Sequence, residues 1–237
     1  MRSLRLALAA ALISFIPVSA RAQQDSSMPE MHHMHHSSST EAVPSTETVN
    51  GSHQHGIGPA GETYDLRFID AMVQHHRGAL RMSEFVFDIG SPGVGALGKE
   101  IWNAQSQEIK AMGQWRKAWY PDAPDYPIAY LSGGDPNSML GLTRMSTEQI
   151  SAMQMLDGKP TRQTRVTWFL EGMLQHHGAA LLMAHDALRQ STNPTILRLS
   201  RNIIIAQRAE ILQIRKMLQH DGLNKSEYYN YDALFSL

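Results

Sequence analysis

One stretch of the chain occurs twice, and this repeat constrains the fold more than any other feature. FIDAMVQHHRGALRM, residues 68–82, returns as FLEGMLQHHGAALLM, residues 169–183, at a constant offset of 101 residues. Downstream, IWNAQSQEIKAM of residues 101–112 is answered by IIIAQRAEILQI of residues 203–214 at an offset of 102. Stacked solenoids need at least three repeats, so two copies predict a closed domain with a pseudo-twofold axis.

Composition excludes several classes of protein and of site. The chain has 21 Lys and Arg against 22 Asp and Glu in 237 residues, so nothing indicates a basic surface for nucleic acid. It contains no cysteine, which leaves His, Met, Asp and Glu as the available metal ligands. No phosphate-binding glycine loop or zinc-protease helix motif occurs, so the sequence offers no basis for phosphoryl transfer or hydrolysis.

The first 22 residues have the pattern of a secretory signal peptide. Arg2 and Arg5 precede an apolar run at residues 6–16, and a small-x-small cleavage site ends at Ala22. A membrane anchor is the alternative, but the run is shorter than the roughly 20 apolar residues that span a bilayer. We therefore expect cleavage after Ala22 and a periplasmic or secreted protein without a membrane span.

Residues 23–61 form a Ser-, Thr-, Pro- and His-rich arm that we expect to be disordered, because few of its side chains could build a core. Thioether sulfur suits Cu(I) and imidazole suits Cu(II), zinc or nickel, so a tract holding both is typical of a copper-collecting segment. A solvated linker and a purification tag are the alternatives. The candidate ligands of this secondary site are Met28, Met31, His32, His33, Met34, His35 and His36.

Apolar side chains recur at alternating spacings of three and four residues in four segments, the pattern of helices that pack against one another. Turn and capping signals place these helices at about residues 63–88, 94–120, 163–190 and 193–221. We predict an all-α four-helix bundle over residues 62–222, made of two duplicated helical hairpins at 62–120 and 163–222.

The connector, residues 121–162, and the C-terminal tail, residues 223–237, lie outside the repeat. Ser146 and Gln149 have the spacing of a capping box, which predicts a short helix at about residues 147–156. Methionine commonly fills gaps in a core, so we expect the connector's methionines to pack there, with a route for a soft metal ion as the alternative. They are Met139, Met145, Met153 and Met155.

Polar residues occupy the seams of the four predicted helices at matching heights. His75 and His176 lie on the seams of the first and third helices, and Glu108 and Glu210 on those of the second and fourth. Methionines lie on the same helix faces as these histidines, three residues before and seven after them: Met72, Met82, Met173 and Met183.

If the hairpins pack about a twofold axis, His75 and His176 face Glu108 and Glu210 and form a metal site, with His76 at the edge of the apolar stripe. Bundle cores commonly hold metals through inward-pointing Glu and His. A hydrogen-bonded polar network that fixes helix register is the alternative.

The motif Met72-x-x-His75-His76, the later Gln105-x-x-Glu108 and the second copies of both resemble the domain of unknown function 305 (DUF305) family over about residues 61–222. The resemblance implies a ferritin-like four-helix domain, commonly exported, with some members that look like periplasmic copper-binding proteins of copper resistance. It also implies a ligand set, with Glu108 and Glu210 as ligands or adjacent acceptors: Met72, His75, His76, Met82, Met173, His176, His177 and Met183.

The leading hypothesis is an exported, non-enzymatic protein that binds Cu(I) and Cu(II) through Met and His for sequestration, delivery or resistance. Iron and zinc fit these ligands less well. Its expected partners are metal ions, with another exported copper-handling protein as a candidate. The alternatives are a ferritin-like oxidase and a metal-free structural or partner-binding domain. Binding needs neutral imidazole, so affinity should fall below about pH 6.5.

Overall fold

The structure, a computed structural model, describes residues 56–237. The predicted signal peptide and the Met/His cluster at residues 28–36 lie outside the described residues. The elements of the described part follow in chain order: α1 (Tyr64–Glu84), α2 (Val94–Trp119), β1 (Ile128–Tyr130), β2 (Leu142–Arg144), α3 (Thr147–Gln154), α4 (Arg165–Gln190) and α5 (Pro194–His220). Three short 3-10 helices complete them: Met139–Gly141, Ser226–Tyr229 and Asp232–Leu234.

Four long helices confirm the predicted all-α bundle, and their ends follow local capping chemistry. α5 begins where Asn193 accepts a hydrogen bond from the Thr195 backbone N–H at 2.9 Å, with Pro194 in its first turn. The capping box of Ser146 and Gln149 forms and starts α3. α1 ends at Glu84 rather than near residue 88, because the next four residues leave the helix as tight turns.

The two hairpins, α1 with α2 and α4 with α5, pack against each other chiefly through α1 and α4. Tyr64 donates a hydrogen bond to Asp186 at one end of this contact, and Met82 lies against Gly172 at the other. The sequence numbers run in opposite directions along the contact, so α1 and α4 are antiparallel. Apolar side chains above and below the middle form two separate clusters, and this places the centre of the α1–α4 contact between them.

The connector packs on the first hairpin. Its β1 and β2 strands form an antiparallel pair, and the Ile128 backbone N–H donates a hydrogen bond to Asp70 of α1 at 2.9 Å. Met145 and Met153 are buried in the core, as expected for gap-filling methionines, whereas Met139 is 44% exposed. The sequence did not indicate the two strands, which are only three residues long each.

The C-terminal tail packs on the second hairpin, which the sequence had not revealed. Tyr231 donates a hydrogen bond from its hydroxyl to Gln175 at 2.9 Å, and Asp232 pairs with Arg215 of α5. The Tyr231 ring also stands where a side chain at Gly178 would be, 2.2 Å from the position of a Cβ atom. The connector therefore covers the first hairpin, and the tail covers the second.

The folded part begins earlier than the boundary at residue 61 that we predicted for the arm. Ile57 is buried, and Arg67 of α1 donates hydrogen bonds to the carbonyl groups of Ile57 and Pro59. Residues 56–61 are thus held on α1. Within the described part, no helix combines the length and the apolar composition that crossing a bilayer requires.

Candidate metal centre

The four repeated histidines form one layer in the middle of the bundle, between the two apolar clusters, and all four are fully buried. The rings of His75 and His176 meet at the centre of the layer, with centroids 3.7 Å apart. His76 and His177 lie outside them, at 6.3 Å and 6.2 Å from their sequence neighbours. The layer is held to the backbone as well, because His176 Nε2 lies 2.8 Å from the carbonyl oxygen of His75.

A glutamate stands at each end of this histidine layer. His76 Nε2 is 2.7 Å from Glu108 Oε2, and His177 Nε2 is 2.6 Å from Glu210 Oε2. The first contact is a hydrogen bond, and the second joins the same kinds of atoms at a similar distance. The glutamate side chains are 21% and 20% exposed, so each end of the buried layer reaches water through a carboxylate.

This pairing corrects the predicted arrangement, in which His75 and His176 faced Glu108 and Glu210. The second histidine of each pair contacts the glutamate, and His75 contacts His176 instead. The reason is geometric. Consecutive helical residues point about 100° apart, so one histidine faces the opposite hairpin while the next faces the helix of its own hairpin.

The four methionines flank the layer. All are at most 1% exposed, and each apolar cluster takes one methionine from α1 and one from α4. Met72 and Met183 lie in one cluster, and Met82 and Met173 lie in the other. The antiparallel packing of α1 and α4 thus brings a thioether from each repeat to both sides of the histidines.

No three His, Asp or Glu side chains between residues 56 and 237 are placed so that they could hold one ion together. The acidic and imidazole groups of the layer meet in pairs. Several buried atoms near these pairs in sequence make no hydrogen bond within the described residues: Nδ1 of His76 and His177, both amide atoms of Gln105, and Oε1 of Gln207.

A second pair of repeated acids, Asp70 and Glu171, has a structural role. Asp70 binds Arg116 at 2.6 Å, and burial nevertheless raises the pKa of its carboxyl. Burial also disfavours the charged form of Glu171, but hydrogen bonds from Lys225 and Tyr228 outweigh it and lower that pKa. The internal repeat pointed to both acids. Their partners, Arg116, Lys225 and Tyr228, lie outside the repeated segments, and no sequence pattern indicated them.

Comparison with known proteins gives a family. The family model described as domain of unknown function (DUF305) matches residues 65–218. Among solved structures, the Ag-bound form of CopM obtained by soaking is 26% identical, with a TM-score of 0.49, over 66% of this chain and 96% of that one. The Cu(I)-bound form of CopM is 25% identical, with a TM-score of 0.46 and the same coverage.

A DUF305 fragment from Deinococcus radiodurans is 25% identical, with a TM-score of 0.47, over 69% of this chain and 99% of that one. No curated protein matches the sequence significantly. The DUF305 match spans well over half of the chain and includes both His-His motifs and both Gln-x-x-Glu motifs. On this ground, the protein belongs to the DUF305 family.

Proposed function

We propose that this protein is an exported copper-binding protein, and that the histidine layer of the bundle is where it holds copper before storing it or passing it on. One observation carries the proposal: four fully buried imidazoles in a row, ending in a partly exposed carboxylate on each side. The proposed role is binding rather than catalysis.

The cost of this arrangement supports a role beyond packing. Buried polar atoms in proteins are nearly always hydrogen-bonded, and each one left without a partner costs about 1–3 kcal/mol. Nδ1 of His76 and of His177, together with the Gln105 amide, are buried and make no hydrogen bond to any described residue. A layer needed only to fix helix register would gain from pairing these atoms. If these atoms instead bind an ion, their lack of hydrogen bonds in both copies of the repeat is explained.

The ligand chemistry favours copper over other metals. Imidazole serves both oxidation states, buried thioethers favour Cu(I), and carboxylates favour harder ions such as Cu(II). The layer offers carboxylates at its solvent ends and thioethers on its buried sides. We propose that Glu108 and Glu210 meet incoming ions, and that imidazoles of the layer retain them together with Met72 and Met183 on one side or Met82 and Met173 on the other.

Other parts of the proposal rest on the sequence. The basic and apolar start of the chain supports export, and the Met/His arm supports a secondary capture site.

An oxygen electrode distinguishes binding from oxidase activity. Oxygen uptake that depends on added Cu(I) or Fe(II), and is lost with His75→Ala/His176→Ala, would contradict the binding role in favour of a ferritin-like oxidase.

Calorimetric titration of the mature chain, with Cu(I) under anaerobic conditions and separately with Cu(II), tests the proposal. The wild type should bind at least one ion roughly tenfold or more tightly than His75→Ala/His176→Ala, because the central imidazoles are lost. His220→Ala removes an exposed histidine outside the layer and serves as the control. Equal affinities of the wild type and the double variant, both folded by circular dichroism, would leave only the arm as a binding site.

Glu108→Gln/Glu210→Gln keeps the shape of the layer while removing its two carboxylates. We expect the Cu(II) affinity to fall by about 10–100-fold, the usual effect of losing a group that orients or assists a ligand. The Cu(I) affinity should change less, because thioether and imidazole remain. Parallel titrations with both ions measure the difference. An equal loss for both ions would contradict the assigned role of the glutamates.

A further inference from the structure

The outer face of α5 combines exposed aliphatic and basic side chains. Ile205 is 59% exposed and Leu212 is 41% exposed, and they lie seven residues apart, two helical turns along one side. Arg198, Arg201 and Lys216 are exposed around them. These five side chains define the α5 face. The single acidic residue of α5 pairs with His177, so it does not neutralise this face.

The internal repeat provides a control for the aliphatic pair. At the offset of 102, Asn103 and Lys110 of α2 stand where α5 has Ile205 and Leu212. Both α2 residues are exposed. The same position in the same fold therefore accepts polar side chains, and packing of the bundle does not require aliphatic ones. Single exposed aliphatic residues are common, but an aligned pair that the duplicate lacks needs another explanation.

We propose that the α5 face is a docking surface for a partner protein whose contact surface is acidic around an apolar centre. Ile205 and Leu212 would fill that centre, and Arg198, Arg201 and Lys216 would meet carboxylates at its rim. Protein interfaces commonly have this organisation, and arginine is enriched in them. The charge of the α5 face supports the choice of an acidic partner, since opposite charges accelerate and orient association.

Two other occupants fit the α5 face less well. A second copy of the chain would bring two basic faces together, and like charges across an interface are unfavourable. An anionic lipid surface would attract the cations, but the main apolar stripe of α5 is buried against α4, which leaves two aliphatic side chains for insertion.

The test uses a defined probe, a synthetic helical peptide with leucines along one stripe and glutamates elsewhere, and measures its fluorescence anisotropy with the mature protein. Ile205→Asn/Leu212→Lys copies the residues of α2 and adds a positive charge. We expect this variant to bind the peptide at least about tenfold more weakly than the wild type does, because the apolar anchors carry the contact. Arg198→Glu/Arg201→Glu should abolish binding, and Asn103→Ala/Lys110→Ala should leave it unchanged.

Equal peptide affinity of the wild type and Ile205→Asn/Leu212→Lys would mean plain charge attraction and would overturn the proposal, as would no binding by the wild type. Phosphatidylglycerol vesicles and analytical ultracentrifugation cover the other occupants. Suppose that the wild type does not bind the peptide but binds vesicles, and that Ile205→Asn/Leu212→Lys does not. The α5 face would then be assigned to a membrane. Dimerisation of the wild type that this variant loses would assign the face to a second copy. The copper affinity should be the same in all these variants, because the histidine layer is untouched.

Discussion

Replacing Arg116 with alanine should lower the free energy of unfolding by about 3–5 kcal/mol, the usual cost of leaving a buried charge without its partner. The Asp70 side chain is 5% exposed, and Arg116 binds both of its oxygens, at 2.6 Å and 3.1 Å. Arg116 also donates hydrogen bonds to the carbonyl groups of Pro124 and Tyr126. It therefore joins α1, α2 and the connector, and urea denaturation at pH 7 measures the loss.

The pH dependence of this variant has a definite sign. Burial already raises the pKa of Asp70, so the folded state takes up a proton more readily than the unfolded chain does. The contribution of Asp70 to stability is therefore largest at low pH and is lost as the pH rises through its folded pKa. Without Arg116 that pKa rises further, and the deficit of Arg116→Ala should shrink as the pH is lowered from 7.

Two further variants test the assignment of the loss to the buried charge. Asp70→Asn in the Arg116→Ala background should recover part of the lost stability, because it removes the unpaired charge. Arg189→Ala breaks a surface pair with Asp186 in which the arginine side chain is 66% exposed, and it should cost less than about 1 kcal/mol. Similar losses for Arg116→Ala and Arg189→Ala would contradict the burial argument.

Gly78→Ala should destabilise the protein by about 1–3 kcal/mol, the range for overpacking a tight contact. A Cβ atom at Gly78 would stand 1.9 Å from the backbone carbonyl oxygen of Gln154, so the end of α3 has to move away from α1. Gly78 lies two residues after His76. We expect the packing of α3 on α1 to loosen mainly around this contact. Chemical denaturation gives the overall loss, and hydrogen exchange of the α3 amides locates it.

Gly113→Ala is the matched control for this substitution. Gly113 also lies inside a long helix, but nothing stands within 4 Å of the Cβ position there. Alanine favours a helix interior over glycine by about 1 kcal/mol, so this variant should be neutral or more stable than the wild type. A loss at Gly113 as large as that at Gly78 would show that the close approach of α3 is not the cause.

The sequence predicted the elements that depend on periodicity. Spacings of three and four residues placed the four long helices, and the repeat identified both His-His pairs and both glutamates. The partner of each histidine could not be predicted, because α1 is buried on two sides, against α2 and against α4. The apolar stripe read from the sequence describes only one of these sides. It contains His75, which faces α4, and so it did not show that His76 faces α2 and Glu108.

The contacts of the connector and the tail could not be predicted for a different reason. They join segments far apart in the chain through single side chains, such as Tyr231 with Gln175. Arg116, the partner of Asp70, has no counterpart in the second copy, where Lys225 of the tail binds Glu171 instead. These ion pairs and hydrogen bonds differ between the two halves. Neither the periodicity nor the comparison of the two copies therefore predicts them.

The histidine layer also limits how the two hairpins can move. If α1 slid by one turn along α4, the rings of His75 and His176 would separate, and the buried hydrogen bond between His176 Nε2 and the His75 carbonyl group would be lost. Leaving buried polar atoms without partners is costly, so this sliding is disfavoured. Any adjustment that admits an ion must therefore come from rotation of the rings or from a sideways parting of α1 and α4, which leaves the vertical alignment of the hairpins unchanged.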